Sequence, residues 1–569
     1  MQPKEAWGHA TAFLDRFRRV GWFDFALLAG LVGAIFGVLS LAGEWRAFRP
    51  AVHIDLSPSA LPKYAFYSLS RGLIAYACSL FFTLTYGYWA AKDRVAQRVL
   101  IPLLDILQSI PVLGFMPGVV LTLVSLFPGS NIGLELSSIL MIFTGQAWNM
   151  TFSFYHSLRS IPNDQVEAAV TYRFNWWQRF KWVELPFSMI GLVWNSMMSM
   201  AGGWFFLMIT ESFVLGNKDF RLPGIGSYMS VAVAKGDTRA MLWAIATMIL
   251  MIVVLDQLLW RPVVVWSEKF RVEEGATESA ASSWFYDFLR RSRLLAWVKE
   301  MRVGRRRIAR RTQVRRHIEK HNNIVSLIFL TILSAGLLYG AWKLFGLLRQ
   351  LSLQALLPIL EAGGLTLGRV LLSTALGTLW TLPAGLAIGL SPRLSRIFQP
   401  IVQIAASFPA PMLFPLVIAG LKLAGISLGF GSVVLMLLGT QWYILFNVIA
   451  GAMSIPADLR EVARSYHLNL RMRFRSLYFP AVFPYLVTGW VTAAGGAWNA
   501  SIVAEYVNFK GQELTTRGLG SAISVAAEHA DFPALAASVI LMAAIVVLFN
   551  RTVWRRLYAV AEERFSLSK

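Results

Sequence analysis

Apolar and polar residues fall along this chain in long blocks. Runs long enough to cross a bilayer core of roughly 30 Å, which takes about 20 helical residues, lie near 22–42, 64–91, 99–126, 132–154, 187–214 and 241–265. Six more lie near 324–345, 365–388, 397–423, 431–453, 481–506 and 532–553. Pro111 and Pro117 break the third run of the first set, and Pro409 and Pro415 the third run of the second. The pattern predicts an all-α polytopic membrane protein with about twelve transmembrane helices in two six-span repeats. An even number of spans brings each repeat in from the same side, so the two are parallel.

The repeat is legible residue by residue. At an offset of 294, Trp148 matches Trp442, Phe152 matches Phe446, Trp204 matches Trp498 and Glu211 matches Glu505. Gly224 and Gly226 match Gly518 and Gly520 at the same offset. Upstream the offset becomes 298, where Arg71 matches Arg369 and Pro111 matches Pro409.

Between the fourth and fifth runs of each half lies a polar, helix-forming loop. One spans Ser160 to Pro186 and the other Ser454 to Pro480, again in register. Asp164 with Glu167, and Asp458 with Glu461, have capping-box spacing, so helix capping is expected of them. Val166, Ala169, Val170, Trp177 and Phe180 recur at helical spacing and predict an apolar stripe.

Composition agrees with a membrane protein. The chain is 56% hydrophobic and only 15% charged, with a mean hydropathy of +0.55, against about a quarter charged in soluble domains. The net charge of +22 reads as Lys and Arg collected in cytoplasmic loops, not as a nucleic-acid site. It places both termini and both polar loops in the cytoplasm. The predicted plan is a cytoplasmic amphipathic N-terminus (1–21), a first repeat (22–266), a basic cytoplasmic linker (267–323), a second repeat (324–556) and a cytoplasmic tail (557–569). The linker's run from Arg305 to Arg316 is expected to meet anionic headgroups. Residues 1–20 lack the short apolar core and cleavage site of a secretory leader. The single Cys78 excludes an internal disulfide framework, and the histidines show no metal-ligand spacing.

The two loops resemble the EAA loop of ABC-importer permeases: Glu-Ala-Ala, three residues, Gly, nine residues, then Ile-x-Leu-Pro. Glu167-Ala168-Ala169 and Leu185-Pro186 fit the first copy, and Glu461, Ala463 and Pro480 the second. The Gly position holds Arg173 in one and His467 in the other. The segments ending at Glu505 and Gly518-Leu519-Gly520 resemble the nitrate/sulfonate/taurine branch. The resemblance implies a type I importer fold with two permease domains fused in one chain of a bacterial cytoplasmic (inner) membrane. It implies that Asp164, Glu167, Ala168, Ala169, Arg173, Leu185 and Pro186, with Asp458, Glu461, Ala463, His467 and Pro480, couple to two separate ABC ATPase subunits. It further implies ATP and magnesium on those partners, a periplasmic or lipid-anchored solute-binding protein, and a small anion such as nitrate, a sulfonate or bicarbonate. The chain has no Gly-x-x-x-x-Gly-Lys-Ser/Thr phosphate loop. No cofactor is therefore expected on the chain itself, which reads as a transport component and not an enzyme.

Polar and aromatic residues in the spans are candidates for the translocation pathway: Gln108, Ser109, Asn149, Trp204, Glu211, Ser407, Gln441, Asn447, Trp498, Asn499 and Glu505. Amides and hydroxyls can hold a small oxyanion without a buried cation, and they equally serve as glue between helices. Glu211 and Glu505 close the fifth runs near the outer end, which leaves open a gate, a helix tie or plain solvation. Arg71 and Arg369 are expected to snorkel to the interface. Gly202-Gly203 and Gly495-Gly496 permit close helix approach.

Two other readings compete. A proton-coupled secondary transporter of two six-span halves would share the span count, and Ala91 to Arg94 faintly resembles the major facilitator loop after its second span. The repeated polar loop between spans four and five argues against it. A membrane enzyme would need clustered carboxylates or a nucleophile–base pair, and neither is evident.

Overall fold

The structure, a computed structural model, describes residues 52–215, 218–270, 283–291, 323–510 and 512–565. The expected N-terminal helix, the run at 22–42 and the arginine clusters of the linker lie outside them. By contacts between residues, the described chain divides into two compact units. One contains 153–197 and the described parts of 253–322. The other contains 52–152, 198–252 and 323–565.

The fold is all-α and polytopic. Among the described residues, eight helices are long and apolar enough to cross a membrane, or nine when the bent pair Pro392–Ser407 and Ala410–Leu423 is taken as one span. Three of the twelve expected runs are not among these. The run at 22–42 lies outside the described residues. The helix Ile132–Arg159 is long enough, but Glu135, Gln146, Asn149 and its serines and threonines make it too polar. The third run of the first half is divided into Arg94–Ser109 and Val112–Leu126.

The break in the third runs has a local cause. A residue before proline is pushed out of the helical region, and Ile110 and Phe408 are extended, with ψ of 124° and 129°. The second-half pair bends by 84° there. Pro117 breaks nothing: it lies inside Val112–Leu126, and Pro415 lies in the first turn of Phe414–Leu423.

The repeat holds in backbone detail. Each fifth-run helix, Leu185–Thr210 and Phe479–Ala504, leads into a small antiparallel hairpin. Ser212–Leu215 pairs with Lys218–Arg221, and Tyr506–Phe509 with Gln512–Thr515, in the same register. Each fifth helix is also preceded by a π-turn, Phe180–Glu184 or Phe474–Tyr478. The π-turn suits the proline two residues on. The last N–H before it, from Leu185 or Phe479, bonds five residues back to Phe180 or Phe474. Pro186 or Pro480 then takes the next place, where it has no N–H to offer. The turn Asp256–Trp260 before Pro262 follows the same rule.

Candidate functional site

In the first polar loop, Pro162 is the N-cap and the helix Asn163–Thr171 starts directly after it. Asp164 therefore lies in the first turn, where its charge suits the helix dipole, and it caps nothing. The second loop is built alike, with Pro456 as N-cap of Ala457–Ser465 and Asp458 in the first turn. The capping-box expectation for Asp164–Glu167 and Asp458–Glu461 is thus overturned: with proline two residues earlier as the N-cap, each pair lies two positions further into the helix. Glu167 and Glu461 are exposed on its surface. A capping box does occur, one helix later. Asn175 and Gln178 exchange side-chain and backbone bonds of 2.8 and 2.9 Å at the start of Trp176–Arg179.

The turn between the two short helices is closed without glycine. Arg173 and His467 adopt left-handed conformations, with φ of 51° and 49°. Phe174 N–H then reaches back to the Ala169 carbonyl at 2.9 Å, and Leu468 N–H to that of Ala463 at 3.1 Å. This Schellman-type closure satisfies a carbonyl at the helix end. Ala169 and Ala463 are buried beneath it, whereas Ala168 and Val462 face solvent. Leu185, Pro186 and Pro480 are half-buried where the fifth helix starts. The expected apolar stripe is divided: Ala169 is buried, Val166 and Phe180 are half-buried, and Val170 and Trp177 are 67% and 54% exposed. In the second loop Ile455 is buried in a core with Leu386, Val448, Val482 and Leu486.

At the hairpin ends of the fifth helices lie two buried ion-pair clusters. Arg71 donates to Glu211 at 2.8 Å and to Glu135 at 2.6 and 2.7 Å, and all three side chains are at most 2% exposed. Ser68 and the Gly226 N–H also donate to Glu211, both at 2.7 Å. The second repeat reproduces this with Arg369 and Gly520 N–H on Glu505, each at 2.8 Å, and Thr366 at 2.9 Å. It lacks one member, since Gly429 stands where Glu135 stands in the first. A methyl group at Gly224 or Gly518 would overlap the carboxylate of Glu211 or Glu505. That close approach is what the paired Gly-x-Gly motifs provide. Arg71 does not snorkel: it is fully buried and bonded throughout. Arg369 is 13% exposed and also donates to the Arg517 carbonyl.

Two cavities lie between equivalent faces of the repeats. One, of about 430 Å³, is bounded by the hairpins and includes Ser212, Arg221, Tyr506, Asn508 and Glu528. The other, of about 250 Å³, is central and is lined by Gln108, Asn149, Ser199, Tyr443, Trp498 and Asn499 among others. Among the described residues, no charged side chain lines the central cavity. Adjacent residues of the broken third runs face different cavities. Val112 and Ala410 line the central one, and Leu113 and Pro411 the hairpin-side one.

Residues 83–259 and 381–566, together more than half of the chain, match the family described as the binding-protein-dependent transport system inner membrane component. The chain belongs to that family, with two copies of its domain. Relatives of this permease include the nitrate import permease protein NrtB of Synechocystis, 31% identical over 121 residues, which are 21% of this chain and 42% of NrtB. The bicarbonate transport system permease protein CmpB of Synechocystis is 29% identical over 26% of the chain and 56% of CmpB. The taurine transport system permease protein TauC of Escherichia coli is 25% identical over 34% of the chain and 67% of TauC. The permease spans about half the length of the first two.

The permease brings together some of the residues singled out from sequence. Gln108, Asn149, Trp498 and Asn499 meet at the central cavity. Trp204 is buried against Gly72. Gln441 accepts from Trp380 at 3.0 Å, Asn447 donates to the Tyr443 carbonyl at 2.8 Å, and Ser407 donates to the Gln403 carbonyl at 2.8 Å. Glu211 and Glu505 belong to the ion-pair clusters, and the side chain of Ser109 lies outside the described residues. Sequence reasoning missed Tyr443, which occupies the position equivalent to Asn149, and Ser199, whose buried hydroxyl lacks a hydrogen-bond partner among the described residues. It also missed Glu135. Applying the 294 offset to Asn149 finds Tyr443, and Glu135 carries the signal that marked Glu211, an acidic residue within an apolar run; nothing in the pattern marks Ser199. Of the glycine pairs, Gly203 packs against Gln146 and Gly496 against Tyr443, while Gly202 and Gly495 face the cavity.

Proposed function

We propose that this permease is the membrane pathway of an ATP-driven importer for a small anion, and that two ATPase partners drive it through the two polar loops. The observation that carries this is the duplicated elbow. In each copy two short helices are joined by the same left-handed turn and present an exposed glutamate, Glu167 or Glu461. Rigid, solvent-facing helices at the ends of two spans suit a mechanical contact. Rocking one repeat against the other would expose a site between them to alternate sides.

The solute passes through the central cavity in this reading. Asn149, Gln108 and Asn499 can donate to an oxyanion from neutral groups, so no fixed cation traps it. A solute-binding protein delivers it on the hairpin side. ATP and magnesium belong to the partners, since the chain carries no phosphate-binding loop. The permease lies in the bacterial inner membrane with both ends in the cytoplasm. The relatives' names, nitrate, bicarbonate and taurine, support an anionic solute.

The test is Glu167→Arg together with Glu461→Arg. The expected result is a folded protein in the membrane that no longer couples ATP hydrolysis to uptake. Uptake that persists in the double variant and follows a proton gradient would overturn the reading.

A further inference from the structure

Equivalent positions of the two elbows carry different chemistry. The first, from Ser160 to Pro186, has three acidic and three basic residues. Its exposed surface carries three tryptophans, Trp182 at 59%, Trp177 at 54% and Trp176 at 48%, where the second has Ser476, Arg471 and Leu470, while Tyr172 and Tyr466 match at 75% and 77%. The second, from Ser454 to Pro480, has five arginines against Asp458 and Glu461. Arg471 stands where Trp177 stands in the first, Arg464 where Val170 stands and Ser476 where Trp182 stands. Arg464, Arg471 and Arg475 are all exposed.

One buried group marks the difference. In the first elbow Arg179 Nε donates to Glu184 at 2.8 Å, and Glu184 is buried. In the second, Tyr478 replaces Glu184. The equivalent Nε of Arg473 is then buried without a hydrogen-bond partner among the described residues. A buried donor left unpaired is costly, and an arginine that has lost its carboxylate keeps its charge. The first elbow neutralises its own arginine, whereas the second leaves one unmatched among four others.

We infer that the second elbow seats on an acidic face of its ATPase partner, held by charge, whereas the first elbow seats by aromatic contact. This rests on the reading that the elbows are the ATPase contacts. The two seats are therefore unlike: one supplies carboxylates to Arg464, Arg471, Arg473 and Arg475, and the other an apolar surface to Trp177 and Trp182.

Equivalent exposed positions, Thr171 and Ser465, allow each elbow to be read separately. In a Cys78→Ser background, Thr171→Cys or Ser465→Cys is introduced into the full chain co-expressed with its ATPase subunits, and cross-linking of each cysteine to them is measured. Both cysteines should cross-link at low salt. Raising salt, or adding Arg471→Glu with Arg475→Glu, should lower the Ser465Cys cross-link roughly tenfold, as loss of interfacial charge pairs does. The Thr171Cys cross-link should persist. Tyr478→Glu restores an internal partner for Arg473 and should weaken the Ser465Cys cross-link while leaving thermal stability intact. If neither cysteine cross-links, the docking reading itself fails. If both cross-link and the Ser465Cys product ignores salt and charge reversal, the arginines face lipid headgroups instead and the inference is overturned.

Discussion

Arg71 and Glu211 meet at 2.8 Å with both side chains fully buried. They join the second-run helix Leu61–Phe82 to the end of the fifth, and Arg369 with Glu505 does the same in the second repeat. Breaking a buried pair by removing one partner strands the other charge, at a cost of about 3–5 kcal/mol. Arg71→Met should therefore lower the thermal unfolding temperature of the detergent-solubilised protein sharply. Arg71→Met with Glu211→Gln and Glu135→Gln should recover much of the loss. Equal destabilisation by single and triple variants would contradict this account.

Gly224 and Gly518 leave room for those carboxylates. Gly224→Ala or Gly518→Ala should destabilise by about 1–3 kcal/mol, the usual cost of overpacking a filled site. Gly364, which has open space around the position of a side chain, supplies the control. Gly364→Ala should leave the unfolding temperature unchanged or raise it slightly.

The left-handed turns at Arg173 and His467 carry side chains that such a conformation disfavours by about 1–2 kcal/mol. Arg173→Gly and His467→Gly should each raise stability, by up to about 1 kcal/mol once the freedom of glycine in the unfolded chain is counted. Arg173→Val should lower it. The measurement is thermal unfolding of the intact protein. A loss of ATPase coupling in the glycine variants without loss of stability would show that the side chains, not the turn, matter for docking.

Asn149→Ala and Asn499→Ala should reduce anion uptake while the ATPase subunits still assemble. Gln441→Ala removes a contact to Trp380 outside the cavity lining, and should leave uptake near normal. Uptake in reconstituted vesicles distinguishes them. Equal loss from all three would mean general loosening of the helices.

Hydropathy made the spans legible, and a constant offset made the repeat legible, because both are written in residue type and spacing. The elbows were legible for the same reason. Residue type alone did not say whether Glu211, at the end of a span, meets water, lipid or a buried arginine. That depends on Ser68, Arg71 and Glu135, which come from other helices. The capping expectation failed because the proline two residues before each aspartate is itself the N-cap, which puts the carboxylate two places into the helix. The hairpins are only four residues a side, too short for an alternating pattern to stand out beside a long apolar run.

In the central cavity the residue equivalent to each of three polar groups is of another type. Asn149 is matched by Tyr443 and Asn499 by Phe205, both on the lining, while Ala493, the match of Ser199, is buried in the core instead. A permease assembled from two identical chains would show every such group twice. Because both walls are encoded in a single polypeptide, each can mutate alone, and the passage can become lopsided in ways a symmetric dimer never could.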